Sequence, residues 1–186
     1  QFDNVDLEQM AGSFIGTKVI QAQGKANLKA QITGSGVSQA ALISNLNGQG
    51  TLTGQNIIME GFDLARFARA MNVDNKPGDS VMGLWKTTTK GGTTAFDTMD
   101  GAFNMTDGIL NIAKLDMDGP TALMKTTGNV NLPQWTLATK HTITAKGEDI
   151  PPFTIEVSGP LDNPGETFAQ GAIQNYLQQK LTRKLD

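Results

Sequence analysis

Short segments in which apolar and polar residues alternate, separated by turn residues at intervals of about ten to fifteen, run through most of this chain and predict an antiparallel β meander. In Lys25-Ala26-Asn27-Leu28-Lys29-Ala30-Gln31-Ile32-Thr33 the alternation is unbroken: Ala26, Leu28, Ala30 and Ile32 share one face, and the polar residues take the other. The next strand reads from Gly50 to Met59. Beyond Gly92 the spacing predicts strands over 94–105, 109–117, 121–132, 135–145 and 153–158. Their joints, Thr106-Asp107-Gly108, Asp118-Gly119-Pro120, Pro133-Gln134 and Gly147 to Pro152, are turn compositions. Joints this short make neighbours in sequence neighbours in the sheet.

Helical spacing interrupts the alternation in three places. Val37, Ala41, Leu42 and Leu46 recur at helical intervals and Asn47-Gly48 supplies a stop, which predicts a short helix lying on the sheet. Asp63 is placed to cap a helix carrying Leu64, Phe67, Ala68 and Met71 on one stripe. From Glu166 to Leu185, Phe168, Ala172, Ile173, Tyr176, Leu177 and Leu181 line one side with Gln and Lys opposite, predicting a terminal amphipathic helix. Residues 72–92, with Pro77-Gly78, read as a long mobile connection, and residues 1–23 show no assignable pattern. The expected fold is mainly β with short helices: a twisted antiparallel β meander or groove capped by a C-terminal amphipathic helix, in one domain spanning residues 1–186.

Composition removes whole classes of chemistry. The net charge is −3 and the fifteen Lys and Arg are scattered, so the chain has no electrostatic footprint for nucleic acid. Cys is absent, which removes thiol catalysis, disulfides and most structural zinc sites. No run approaches the roughly 18 apolar residues of a membrane helix, so the chain as given reads as water-soluble. It starts at Gln1 rather than Met, which points to a trimmed piece whose targeting or anchoring segment lies outside it. The single histidine, His141, shares a strand face with Thr139 and Ile143 and has no partner for a nucleophilic triad or a metal site, so a structural role is expected. Asp97, Asp100, Asp107, Asp116 and Asp118 do not follow the spacing of a calcium loop. Gly34-Ser35-Gly36 and Gly48-Gln49-Gly50 do not have the form of phosphate loops. Two facing carboxylates in a sugar cleft would need aromatic platforms, and beyond the phenylalanines only Trp85, Trp135 and Tyr176 exist. The expectation is no enzyme and no cofactor.

What remains is the apolar face of a broad sheet. Leu28, Ile32, Leu52, Met59, Phe103, Met105, Ile112, Met124, Val130, Leu137, Ile143 and Ile155 are candidate lipid-facing residues, with Trp135, Phe153 and Val157 as further contributors. Methionines make such a face adaptable. Two readings stay open: a groove that holds acyl chains, or a sealed core belonging to a structural or protein-interaction module. The second would act through strand edges or through a docking helix bearing Phe168, Ile173, Tyr176, Leu177 and Leu181.

An ordered series of motifs narrows the choice. Gly48, Gly50, Leu52 and Gly54 precede Gly61-Phe62-Asp63-Leu64. Gly92-Thr93-Thr94-Ala95-Phe96 follows, with Met99, Phe103, Met105 and Gly108-Ile109, then Gly128-Asn129-Val130-Asn131-Leu132 and the stretch from Phe153 to Pro164. From Leu46 to Pro164, roughly two thirds of the chain, this order resembles the C-terminal region of the AsmA family of Gram-negative bacteria, with Asn131 where that family has Asp. The resemblance implies a protein tethered to the inner membrane with most of its chain in the periplasm. It also implies a part in outer-membrane biogenesis and in lipid movement along an apolar β-groove, with phospholipid or another envelope lipid and envelope proteins as partners. It brings no catalytic residues.

Overall fold

The computed structural model describes residues 1–8, 21–72, 80–88, 91–169 and 171–182. A period of two in apolar residues leaves each strand one face to bury, and short turns let the next strand fold straight back to share it. The strands are β1 (Phe2–Asp6), β2 (Gln21–Thr33), β3 (Asn47–Glu60), β4 (Thr93–Thr106), β5 (Ile109–Asp118), β6 (Ala122–Asn131), β7 (Thr136–Ala145), β8 (Phe153–Pro160) and β9 (Gly165–Phe168). They form one nine-stranded sheet in sequence order, each antiparallel to the next. Among the described residues four short helices accompany it: α1 (Gln39–Ser44), α2 (Leu64–Asn72), α3 (Val81–Thr88) and α4 (Ala172–Thr182). The expected mainly β meander with a C-terminal helix is the observed one.

Several expectations need correction. Phe168 belongs to strand β9, not to the terminal helix: Gly165–Phe168 pairs with Ile155–Ser158, and the helix begins only after Gly171. Part of the supposed connection 72–92 is helix α3, capped by Ser80, whose Oγ accepts the Gly83 N–H at 3.0 Å. Val81 and Trp85, one turn apart on that helix, are both buried. Pro77-Gly78 lies outside the described residues. Trp135 is not in a strand but closes the β6–β7 turn, 46% exposed. Helix α1 is shorter than 37–46 and buries none of its residues, so it does not seat an apolar face on the sheet. The lead-in supplies an edge strand, β1, which meets β2 at Phe2, Val5 and Asp6.

Cross-strand register gathers the apolar positions into four rows on one face. Row 1 is Ala26, Gly54, Met99, Met117, Met124, Ile143 and Phe153; row 2 is Leu28, Leu52, Gly101, Leu115, Thr126, His141, Ile155 and Phe168. Row 3 is Ala30, Gly50, Phe103, Ile112, Gly128, Thr139, Val157 and Glu166; row 4 is Ile32, Gly48, Met105, Leu110, Val130, Leu137 and Gly159. A bulge in β5 between Ile112 and Leu115 keeps both on this face despite their odd spacing. A second irregularity, where Gly24 (φ 126°) meets Asn56 (φ 54°), leaves Ile57 buried and Met59 packed against the core. A Cβ at residue 24 would stand 2.8 Å from the Asn56 carbonyl oxygen, so glycine is required there.

The helices cover only part of this face. Helix α2 lies against β4 and β7, and α3 lies against α2, β9 and α4. Phe67 of α2 meets Trp85 of α3 edge-on at 5.2 Å and Phe153 of β8 at 5.1 Å. Row 1, from Met99 to Phe153, is buried beneath Phe67, Met71, Trp85, Ile173 and Leu177, and Leu52, Leu115, Val157 and Phe168 pack against that cluster.

The uncovered half of the apolar face

Rows 3 and 4 continue the apolar surface past the cluster that the helices seal. Ala30, Phe103, Leu110, Ile112, Val130 and Leu137 are half-buried, Ile32 is 48% exposed, and Met105 is buried apart from the main core. The Phe103 ring reaches over β3 because Gly50 stands opposite it: a Cβ at residue 50 would stand 2.5 Å from the phenyl ring. Small residues in β3 thus make room for large ones from β4.

All twelve candidate lipid-facing residues are on this one face, and the helices divide them. Met124, Ile143 and Ile155 are buried in the helix-covered core, with Leu52 and Met59 packed against it. Leu28, Ile32, Phe103, Met105, Ile112, Val130 and Leu137 stand outside that cluster. The docking-helix candidates are placed differently from expectation. Ile173 and Leu177 are buried in the protein's own core, and Tyr176 is half-buried with its hydroxyl donating to Asn72 Oδ1 at 2.8 Å. Phe168 is in β9, and the Leu181 side chain lies outside the described residues. Burial first, then Asp149 and Glu148, raise the Tyr176 phenol above its ordinary range.

The face is almost free of charge. Within the four rows Glu166 is the one carboxylate, no Lys or Arg occurs, and Glu166 Oε2 accepts the Trp85 Nε1–H at 3.3 Å. His141 is held between two hydroxyls, with Thr126 Oγ1 2.9 Å from Nδ1 and Thr139 Oγ1 2.9 Å from Nε2. Both threonines are buried, and burial lowers the His141 pKa, so the ring is neutral at pH 7. Alternation had indicated the His141 face; it held no sign that Thr126, fifteen residues away, would close the pair. Leu110, Leu115, Met99 and Met117 were also missed, Leu115 and Met117 because the β5 bulge breaks the period of two that runs through Ile112.

Ion pairs keep to the other surface. Lys114 Nζ contacts Asp100 at 2.7 Å and Asp116 at 3.9 Å, and Lys140 pairs with Glu156 at 3.1 Å. Asp118 pairs with Lys146. Exposed pairs of this kind contribute little to stability. Among the described residues no three His, Cys, Asp or Glu side chains converge.

The AsmA family model matches residues 1–115. The chain belongs to the AsmA family. The match takes in residues 1–23, which carry none of the recognisable motifs, while the motif series runs on to Pro164. No curated protein and no solved structure matches the chain. Membership makes this an AsmA-like protein of envelope and outer-membrane assembly. Among the described residues of this AsmA-family chain, no helix is long and apolar enough to cross a membrane.

Proposed function

We propose that this AsmA-family chain is a non-catalytic, lipid-handling element of the envelope, and that acyl chains lie along rows 3 and 4 of its sheet. On this reading it works in the periplasm, tethered to the inner membrane by a segment outside this sequence. The observation that carries the proposal is the continuation of an uncharged apolar face, from β2 to β8, beyond the helices that seal its other half. Six steps between strands of about 4.8 Å give roughly 29 Å of surface, longer than an extended acyl chain of ordinary length. Burying each methylene is worth about 0.8 kcal/mol, so contact along part of such a chain is enough for capture. The non-catalytic part of the reading is supported by His141, whose ring nitrogens both engage threonine hydroxyls.

The alternative, a structural or protein-interaction module, draws support from Ile173 and Leu177, which close half the face from within. Native mass spectrometry with lipid extraction separates the two. The wild type is expected to carry phospholipid, and a variant with Ile112→Asp and Val130→Asp is expected to lose it while keeping its near-ultraviolet circular dichroism. A wild type without lipid, or a folded variant that retains it, would sink the groove reading.

A further inference from the structure

The turns at one end of the sheet form a continuous belt with an unusual surface. Gly108 N–H donates to Leu46 O at 2.9 Å, Leu132 N–H to Gly108 O at 3.1 Å, Trp135 N–H to Leu132 O at 3.3 Å and Leu161 N–H to Trp135 O at 3.0 Å. A Cβ at residue 108 would stand 2.4 Å from the Ile43 carbonyl oxygen and 2.9 Å from the Pro133 ring, so α1 and the β6–β7 turn meet over that glycine. Row 4 runs alongside this belt.

Charge is sparse in it. Residues 30–59 contain no ionisable side chain, and the segments 104–113, 126–139 and 157–165 that complete this end add only Asp107 and Asp162. Large apolar side chains are exposed there instead: Val37 fully, Ile32 by 48%, Trp135 by 46% and Leu42 by 42%. Trp135 also adopts φ 55°, a left-handed conformation that a bulky residue takes at a cost. Retaining a tryptophan at a position suited to glycine or asparagine points to a use for its side chain.

We infer that this end of the sheet, carrying Ile32, Val37, Leu42 and Trp135, docks on the interfacial zone of a lipid bilayer by apolar insertion. The inference rests on the acyl-chain reading, because row 4 borders this end and a lipid passing between a bilayer and the face would cross here. A bilayer fits better than a protein partner: the four side chains project from β2, from the α1 segment and from the β6–β7 turn, amid amides and hydroxyls. Aliphatic prongs with an indole at the boundary suit the headgroup–acyl interface, whereas a protein partner needs a contiguous complementary patch. With two acids and no Lys or Arg, this end gains nothing from anionic headgroups, so binding to neutral vesicles is expected and salt should not weaken it.

The test uses phosphatidylcholine vesicles containing brominated acyl chains, with tryptophan emission as the readout. Trp135 emission should be quenched, while Trp135→Phe, which leaves only the buried Trp85, should show no quenching. A variant with Val37→Asp and Leu42→Asp, both on exposed positions, should lose vesicle co-sedimentation at least tenfold. Unquenched wild type, equal binding by that variant, or binding abolished at about 0.5 M salt would overturn the inference. So would self-association of the wild type that the same variant removes without any vesicle binding. Lipid carried in native spectra without quenching would fail this inference alone; quenching without carried lipid would fail the groove reading alone.

Discussion

His141 shows how one residue keeps a polar group on an apolar face at low cost. Its two nitrogens are occupied by Thr126 and Thr139, and Thr139 Oγ1 also lies 3.5 Å from the Val157 carbonyl oxygen. Burial holds its pKa below the ordinary imidazole range, so between that lowered value and about 6.5 the unfolded chain binds the proton more readily than the folded one. Unfolding free energy should therefore fall as pH drops through this window and level off below it. Urea titrations at a series of pH values should show that slope in the wild type and lose it in His141→Gln; an unchanged slope would assign the dependence to other groups. Trp135 makes the opposite trade. Trp135→Gly relieves a left-handed conformation that costs a side chain about 1–2 kcal/mol, so thermal unfolding should show stability equal to or above that of the wild type. Vesicle contact should be lost in the same variant.

At the scale of elements, α2 ties the helical cover to the sheet. Asp63 Oδ1 accepts the Arg66 N–H at 2.8 Å, and the buried Thr94 hydroxyl of β4 accepts the Leu64 N–H at 3.1 Å while donating to Phe62 O at 2.9 Å. Asp63→Ala should cost about 1 kcal/mol by loss of the cap. Thr94→Val leaves a buried donor and a half-buried acceptor without this hydroxyl and should cost about 1–3 kcal/mol. Because both changes act on the first turn of α2, their effects should not add, and urea denaturation of the double variant checks this. Phe67→Ala removes the ring that Trp85, Phe153 and Phe168 surround and should cost about 3–5 kcal/mol.

The whole molecule is an open sheet with a sealed half, a half the helices leave uncovered and two short edge strands. β9 has four residues and β1 meets β2 at three positions, so both edges depend on few backbone bonds. Hydrogen exchange should find β1 and β9 opening first and the central strands β4 to β7 last. The division of the face predicts a contrast between Met117→Asp and Ile112→Asp. Met117 is 2% exposed beneath the helices and a carboxylate there should unfold the protein, whereas the half-buried Ile112 should tolerate one with a modest loss of melting temperature.

The alternation of apolar and polar residues was by itself enough to determine that this chain makes a meander, which residues share a face within an unbroken strand, and that strands follow one another in order. Side-chain period and turn length are local properties, and antiparallel neighbours need nothing more. Where two helical residues were far enough from a strand to keep their own spacing, as with Leu64 and Phe67, the helix was legible too. Tertiary structure decided the rest. Phe168 sits in a strand because β8 offered an edge to pair with, and Trp85 is buried because Phe67 and Phe153 meet it from two other elements. The β5 bulge that brings Leu115 and Ile112 onto one face is a matter of register between strands. Above all, which half of the apolar face the helices cover depends on contacts between residues far apart in the chain, and no local period records them.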